Sequence, residues 1–272
     1  LLNKKQNDII CHKNAHILNS ECNAPEFYSP NSKLISLDGN KGKLTSSIID
    51  EFLKENNSCI RKVAGISISQ LTEYGTSYSI RSLKEIGEVC KKYNIFFHMD
   101  GARFSNALSY LNVKPSEMTW EVGLDCLSLG ATKNGAFAAE AIVVFNVNKV
   151  NNWNYYHKRS GNALPKTKFI SSQFISWFRN GLWIKLSHVS NNAATSVANY
   201  FLTNKNFRIL YPVQGNEIFV EVNYLYYKKI IKKKIFPKLW ARNKHTVILR
   251  FVFGFDTNNK MIKEIIRRLN FI

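Results

Sequence analysis

The sequence alternates short apolar runs with amphipathic segments, and this alternation limits the folds open to the chain. Residues 63–69 (VAGISIS) and 95–99 (IFFHM) are almost uninterrupted apolar runs, which indicates strands buried on both faces. Between them, Ser79 can cap a helix running to Tyr93, whose apolar residues recur at helical spacing. Strands that alternate with helices predict a mostly parallel sheet in an α/β fold. Further strands are expected at 33–37, 126–129, 140–145, 217–222 and 246–253, and helices at 45–54, 166–202, 224–234 and 257–269.

The pattern changes near residue 206, where single strands and helices follow one another without the long apolar runs of the first part. We therefore expect a large domain over residues 1–203 and a small C-terminal α+β domain over residues 204–272. No internal repeat or low-complexity linker divides the chain further.

Composition excludes some classes of protein. Hydrophobic residues make up 45% of the chain, enough for a core, so disorder is excluded as the main state. No apolar run approaches the roughly 18–20 residues of a membrane span, and no secretory signal is recognisable. The five cysteines are widely spaced without a CxxC pair, which favours a reducing compartment, here the cytoplasm, with cysteines as small core residues. Cys11, His12 and His16 lack a second cluster to complete a metal site, so no metal is predicted.

Positive charge dominates the ionisable residues, because 38 Lys and Arg against 19 Asp and Glu give a formal net charge of +19. Such a surplus suits a polyanion partner. Its densest run, residues 228–234, places apolar residues on one helical face and lysines on the other, which favours a solvated amphipathic helix. No nucleic-acid-binding signature accompanies the charge, so a nucleic-acid partner is not expected.

Familiar nucleotide-binding and hydrolase motifs are missing. No two glycines stand two apart, which excludes the dinucleotide motif GxGxxG, and neither a P-loop, HExxH nor GxSxG occurs. What remains is a pair of residues at strand ends. Asp100 ends one apolar strand, and Lys133 follows the next within a stretch of small residues, 130–135. Ligands of α/β sheets bind at the carboxyl ends of the strands.

The chemistry of this pair suits pyridoxal phosphate. Partial desolvation among small neighbours would make the Lys133 amine nucleophilic enough to form a Schiff base. A strand-end carboxylate such as Asp100 can keep a pyridine nitrogen protonated, so that the ring accepts electrons. On spacing alone, an ordinary strand-end aspartate and loop lysine remain the alternative.

Two segments resemble the signature segments of a known family. HMDGARFSNAL (98–108) and SLGATKNG (128–135) are similar to those of low-specificity L-threonine aldolases, in the beta-eliminating lyase group of fold-type I pyridoxal-phosphate enzymes. The resemblance implies a fold like that of the aspartate aminotransferases, a pyridoxal-phosphate-dependent transferase-like fold, with the cofactor bound by the large domain. It continues in the family's order through residues 10–27, 66–83, 158–173 and 247–257.

The resemblance assigns cofactor roles to five residues. Lys133 corresponds to the Schiff-base lysine, and Asp100 to the partner of the pyridine nitrogen. Arg103 corresponds to a residue beside the phenolic oxygen, and Thr132 to one near the phosphate. His16 corresponds to the residue that stacks on the ring near the substrate hydroxyl; without the family, it would be interpreted as an ordinary helix-face histidine.

Substrate and interface roles follow from the same resemblance. Arg250 would bind the substrate carboxylate, for which an Arg fork is suited, and Glu73 would lie near the substrate side chain. Arg159 and Lys168 match a stretch that approaches the cofactor of a neighbouring subunit, so a homodimer or homotetramer is implied.

Structural alternatives stay open for several of these residues. Arg250 could form a structural ion pair, and Arg103 could pair with Asp100 inside the DGAR turn. Glu73 could be a loop carboxylate without a role. His98 is interpreted as structural.

The implied reaction is a retro-aldol cleavage of L-threonine or L-allo-threonine to glycine and acetaldehyde, with His16 or a water molecule as the base. The chain starts at Leu1 instead of Met, and the family's phosphate-binding helix start, which precedes this region, has no counterpart upstream of Asp8. We therefore expect an N-terminally incomplete copy with impaired activity. The alternatives are an inactive or partial remnant, another fold-type I amino-acid lyase, an aminotransferase, or a non-catalytic anion-binding protein.

Overall fold

The structure, a computed structural model, describes residues 7–29, 32–56 and 62–270. Within these ranges the chain forms two sheets and the helices that cover them. The strands are β1 (Asn7–His12), β2 (Leu34–Leu37), β3 (Lys62–Ser69), β4 (Phe96–Gly101), β5 (Cys126–Gly130), β6 (Glu140–Val144), β7 (Arg208–Ile209), β8 (Glu217–Asn223), β9 (Lys238–Arg242) and β10 (Thr246–Val252). The α-helices are α1 (His16–Asn19), α2 (Ala24–Tyr28), α3 (Ser46–Glu55), α4 (Ile80–Lys92), α5 (Phe104–Leu111), α6 (Trp153–Arg159), α7 (Lys168–Phe178), α8 (Leu182–Thr203), α9 (Tyr224–Lys232) and α10 (Asn259–Asn270).

Helix α4 shows how the sequence determines local structure. The Ser79 hydroxyl accepts a hydrogen bond from the backbone N–H of Ser82 at 3.1 Å, which satisfies one of the free donors of the first turn. Leu83, Ile86 and Cys90 are buried on one face of this helix. The helix predicted from Ser79 to Tyr93 is thus confirmed.

The large sheet has the strand order β2-β1-β3-β4-β5-β6. Strands β1 to β5 pair in parallel, and only β6 runs antiparallel to its neighbour β5. This mostly parallel sheet confirms the predicted α/β fold. The chain leaves β1 toward β2 on one side and leaves β3 toward β4 on the other, so the strand order reverses between β1 and β3. Such a reversal opens a crevice at the carboxyl ends of the strands, where α/β proteins bind ligands.

The small sheet has the order β7-β8-β10-β9 and is antiparallel. One face of β8 and β10 packs against the later part of α8 in a second hydrophobic core, whereas Trp183 and Leu186, near the start of α8, pack against the first core. Because α8 contributes to both cores, the boundary at residues 203 and 204 stays a prediction.

Several elements depart from the sequence-based expectation. Strand β1 contains the buried Asp8, whose carboxylate accepts from the Lys33 backbone N–H at 2.9 Å, so its sequence lacks a continuous apolar run. The edge strand β9 is largely exposed and has no apolar signature either. Helix α9 buries Ile230 and exposes the lysines at 228, 229 and 232, which confirms the predicted amphipathic helix; the exposed lysines at 233 and 234 follow its end.

The cysteines follow the core interpretation only in part. Cys11, Cys90 and Cys126 are buried, Cys22 is exposed, and Cys59 lies outside the described residues. Burial raises the pKa of the Cys11 thiol to about 11, which keeps it protonated at neutral pH.

The longest helix, α8, has 22 residues, but neither it nor any other described helix is apolar enough over its length to traverse a bilayer.

Candidate active site

The carboxyl ends of the central strands lie at one level. Ser69 of β3, Asp100 of β4 and Ser128 of β5 are partners in the parallel register, so the segments that follow them emerge at the same edge. The end of β5 also touches the segment after β4: a Cβ on Gly130 would lie 2.9 Å from the Cα of Ala102. Only glycine permits this approach, which brings the segment leading to Lys133 against the segment that contains Asp100.

Lys133 lies in a single turn of 3-10 helix, Thr132–Asn134, which we call the lysine turn. The buried amide of Asn134 fixes it, because Nδ2 donates to Ser105 Oγ at 2.9 Å and to the Trp183 carbonyl at 2.7 Å. The indole N–H of Trp177 donates to the Asn134 carbonyl at 2.8 Å. The backbone under Lys133 is therefore anchored to α5, α7 and α8, while its side chain is exposed.

Asp100 is oriented by its own loop. Its Oδ1 accepts from the Ala102 backbone N–H at 2.9 Å, which turns the carboxylate toward the edge of the sheet. On the same face of β4, the His98 ring is hydrogen-bonded to Ser67 and Ser128, each at 2.9 Å. Burial lowers the pKa of His98, so this ring is neutral at neutral pH and serves the sheet, as the sequence predicted.

Two arginines share one glutamate. Nη2 of Arg103 donates to Oε1 of Glu217 at 2.6 Å, and Nη2 of Arg250 donates to the same oxygen. The Glu217 side chain is fully buried, and each arginine side chain is only 14% exposed. Among the described residues, Nε of both arginines and Oε2 of Glu217 have no hydrogen-bond partner. We call these three residues the arginine–glutamate cluster.

Glu73 interacts electrostatically both with this cluster and with the other charged groups at the carboxyl edge of the large sheet. Burial is the main cause that raises the pKa of Glu73, and the negative charge of Asp100 raises it further. His16 and Arg103 act in the opposite direction, and Glu217 adds to the increase. Side chains that follow β1, β3 and β4 therefore converge with the first residue of β8 in one electrostatic environment.

His16 begins α1 just after β1, at the strand reversal. Its Nδ1 lies 3.0 Å from Oε1 of Glu21, and its side chain is 44% exposed. Because an ionised carboxylate can only accept, Nδ1 carries the ring proton and Nε2 presents a lone pair. The ring is thus prepared to accept a proton at Nε2.

Residues 1–224 match the model of the beta-eliminating lyase family. The chain belongs to this family. It is 33% identical over 267 residues to a low specificity L-threonine aldolase of a Pseudomonas species, covering 94% of this chain and 74% of that protein. It is also 32% identical over 271 residues to the low specificity L-threonine aldolase of Pseudomonas aeruginosa, covering 97% of this chain and 76% of that protein.

The chain shares its fold with solved structures that are named as threonine or L-allo-threonine aldolases. The threonine aldolase of Leishmania major superposes with a TM-score of 0.91 at 24% identity, covering 99% of this chain and 78% of that one. A putative L-allo-threonine aldolase of Listeria monocytogenes gives a TM-score of 0.75 at 18% identity, covering 96% of this chain and 74% of that one. The predicted fold of pyridoxal-phosphate-dependent enzymes is confirmed by these likenesses.

The beta-eliminating lyase fold brings some of the predicted residues together and leaves others apart. His16, Glu73, Asp100 and Arg103 share one environment, and Arg250 joins them through Glu217. Arg159, bonded to the Tyr155 hydroxyl at 2.7 Å, and Lys168 are exposed at α6 and α7. Their role at a neighbouring subunit, and with it the homodimer or homotetramer, stays a prediction.

The structure decides between alternatives for Arg103 and Arg250 and overturns one expectation for Lys133. Arg103 pairs with Glu217 and not with Asp100, the alternative suggested by the DGAR turn. The structural ion pair considered for Arg250 does exist. Lys133 is exposed in the single chain, because the small residues around it leave it uncovered, so the expected desolvation is not found there. Thr132 is also exposed, and its Oγ1 accepts from the Ala139 backbone N–H at 3.2 Å.

The sequence analysis did not predict two residues that contribute to the candidate site of this family member. Glu217 begins a mostly apolar strand, EIFVEV, and a carboxylate in such a position was a usable signal because it needs a buried partner. Asn134 directly follows the predicted lysine, but its part in anchoring the turn depends on Ser105 and Trp183, which are distant in sequence.

Proposed function

We propose that this chain is a carbon–carbon lyase that cleaves L-threonine or L-allo-threonine to glycine and acetaldehyde with pyridoxal phosphate. The names of the two Pseudomonas relatives support the substrate class. The observation that carries the proposal is the convergence of His16, Glu73, Asp100 and Arg103 at the strand reversal. One base, one anionic strand end and one buried cation are what a retro-aldol cleavage of an amino acid needs.

The residues present fit pyridoxal phosphate. Asp100 offers a strand-end carboxylate whose Oδ2 is left free by the bond from Ala102 to Oδ1, and Arg103 keeps a buried Nε without a partner among the described residues. Lys133 would hold the cofactor through its ε-amino group, Asp100 would keep a proton on the ring nitrogen, and Arg103 would lie by the phenolic oxygen. When bound, the cofactor supplies a carbonyl group for the substrate amine and a ring that accepts electrons from the breaking carbon–carbon bond.

Binding of the substrate carboxylate and transfer of the hydroxyl proton are assigned to residues of the chain itself. Arg250 presents unused guanidinium N–H groups to the substrate carboxylate and thereby orients the bond to be broken. Nε2 of His16 takes the proton of the β-hydroxyl group, while Glu21 holds the proton on Nδ1 and supports the cationic ring that results. Glu73, whose pKa is raised, lies where a protonated carboxyl could donate to the substrate hydroxyl.

The test is cleavage of threonine by the purified chain with added pyridoxal phosphate. We expect glycine and acetaldehyde in equal amounts without a keto-acid acceptor, and their complete loss in Lys133→Ala. The control is Lys205→Ala, which removes an exposed lysine in the turn after α8 and leaves turnover unchanged. Turnover that depends on a keto acid, or that survives Lys133→Ala, contradicts the proposal.

A further inference from the structure

We propose that Glu217 is a positioning residue, which holds Arg250 in the orientation that binds the carboxylate of an amino-acid ligand. This inference rests on the function proposed above and adds to it a residue that neither touches the ligand nor reacts. Glu217 would act through Arg250, and Arg103 would be the second group that it holds.

The geometry of β8 and β10 brings Glu217 to Arg250. Arg250 is paired directly with Phe219, and Glu217 with Val252, so Glu217 and Arg250 are diagonal neighbours on one face of the small sheet. Diagonal neighbours are within reach of long side chains. The Arg250 guanidinium also lies 5.4 Å from the centre of the Trp240 ring, which limits its movement on the other side.

The Glu217 side chain is itself fixed by close packing. A Cβ on Gly75 would lie 3.2 Å from the Glu217 Cβ and 3.4 Å from Oε2, so the loop that contains Glu73 packs directly on the glutamate. Gly75 has a φ of +69°, which favours glycine and permits this approach. With no exposed area, the carboxylate has no water to turn toward and is confined to the two arginines.

The cluster keeps unused binding capacity. A guanidinium has five N–H donors, and the contact with Glu217 uses one Nη2 of each arginine. Nε of Arg250 is buried without a partner among the described residues. One carboxylate between two guanidinium groups also leaves a surplus positive charge, which complements an anionic ligand.

Removing the charge of Glu217 leaves two buried guanidinium groups side by side without compensation. A buried charge that loses its partner is costly, and two like charges repel, so Arg250 would turn away from its position. We therefore expect Glu217→Gln, which keeps the size of the side chain, to weaken the binding of ligands that carry a carboxylate. Ligands without one should be unaffected.

The experiment compares glycine with methylamine, an amine without a carboxylate. Their Kd values are measured from the change in visible absorption of the cofactor-loaded protein. In Glu217→Gln the Kd of glycine should rise about tenfold or more, as expected for a misplaced charged hydrogen bond, and that of methylamine should stay within twofold. The matched control is Glu221→Gln, which alters a glutamate on the same strand whose arginine partner, Arg208, is exposed; here both Kd values should stay unchanged.

Equal changes for glycine and methylamine in Glu217→Gln, or no change for either, overturn the inference. If this variant does not fold, Glu217→Asp replaces it, because the shorter carboxylate keeps the charge but cannot reach both Nη2 atoms; the selective loss for glycine is again expected, and equal Kd changes again overturn the inference. If the wild-type chain shows no cofactor band, the proposed function fails first and the inference falls with it.

Discussion

At the scale of single residues, Glu73 lies where burial and neighbouring charge both oppose its ionisation. Its folded-state pKa is higher than its ordinary value of 4.5. The stability gained from the protonated carboxyl is therefore complete below pH 4.5 and is lost as the pH rises through the folded-state pKa. Where this carboxyl is ionised, its buried negative charge lowers the stability of the folded protein.

Glu73→Gln should therefore raise the free energy of unfolding at neutral pH, because the amide imitates the protonated carboxyl without its charge. The gain should shrink as the pH falls toward 4.5. Urea denaturation at several pH values measures it, with Glu88→Gln on the exposed face of α4 as the control. A variant less stable than the wild type at neutral pH contradicts this account.

Residues of the site differ in how far the sequence could predict them. Asp100 and Lys133 were predicted because Asp100 ends one apolar strand and Lys133 follows the next, and strand ends determine where ligands bind in α/β sheets. The roles of Arg250 and Glu217 depend on their contact with each other across 33 residues of sequence, and on Arg103, which follows a strand of the other sheet. A pairing of this kind has no local periodicity, so the sequence showed a buried arginine but not its partner.

At the scale of elements, the lysine turn is fixed by what lies beneath it. Asn134 ties it to Ser105 of α5 and to the first turn of α8. Gly135 follows with a φ of +108°, and a Cβ there would lie 2.6 Å from Leu186 Cδ1. These contacts therefore fix the backbone position of the exposed Lys133.

Asn134→Ala should lower the free energy of unfolding by about 1–3 kcal/mol, since it removes the donor to the buried Ser105 hydroxyl and one of the two side-chain donors to the Trp183 carbonyl. It should also weaken cofactor binding, because the turn under Lys133 loosens. Urea denaturation and absorption titration with pyridoxal phosphate measure the two effects. Asn151→Ala, in an exposed loop, is the control, and equal behaviour of both variants would contradict this interpretation.

The elements that the sequence did predict share one property. Helix α4 and strands β3 and β4 are strongly apolar on their buried sides, so their periodicity carries the information. Helix α5 was missed although six of its eight residues are buried, because Ser105, Asn106 and Ser109 are among them. Their hydrogen bonds to α8 and to the lysine turn replace apolar contacts that a sequence pattern could reveal.

At the scale of the whole molecule, the candidate site joins the two sheets. Asp100 ends a strand of the large sheet, and His16, Glu73 and Arg103 lie in segments that follow its strands, whereas Glu217 and Arg250 lie in strands of the small sheet. Any change in how the sheets pack would separate the two arginines that share one carboxylate. The net charge of +19 is spread along the chain, and the buried surplus at the arginine–glutamate cluster is the part of it that the proposed reaction would use.

The central claim, that Lys133 carries the cofactor, is tested most directly by reducing the pyridoxal-phosphate-loaded protein with borohydride and mapping its peptides by mass spectrometry. Borohydride makes the bond between the lysine and the cofactor permanent. We expect one reduced pyridoxyl phosphate group, attached to Lys133. Attachment to another lysine, or a chain that remains unmodified at saturating cofactor, would contradict it.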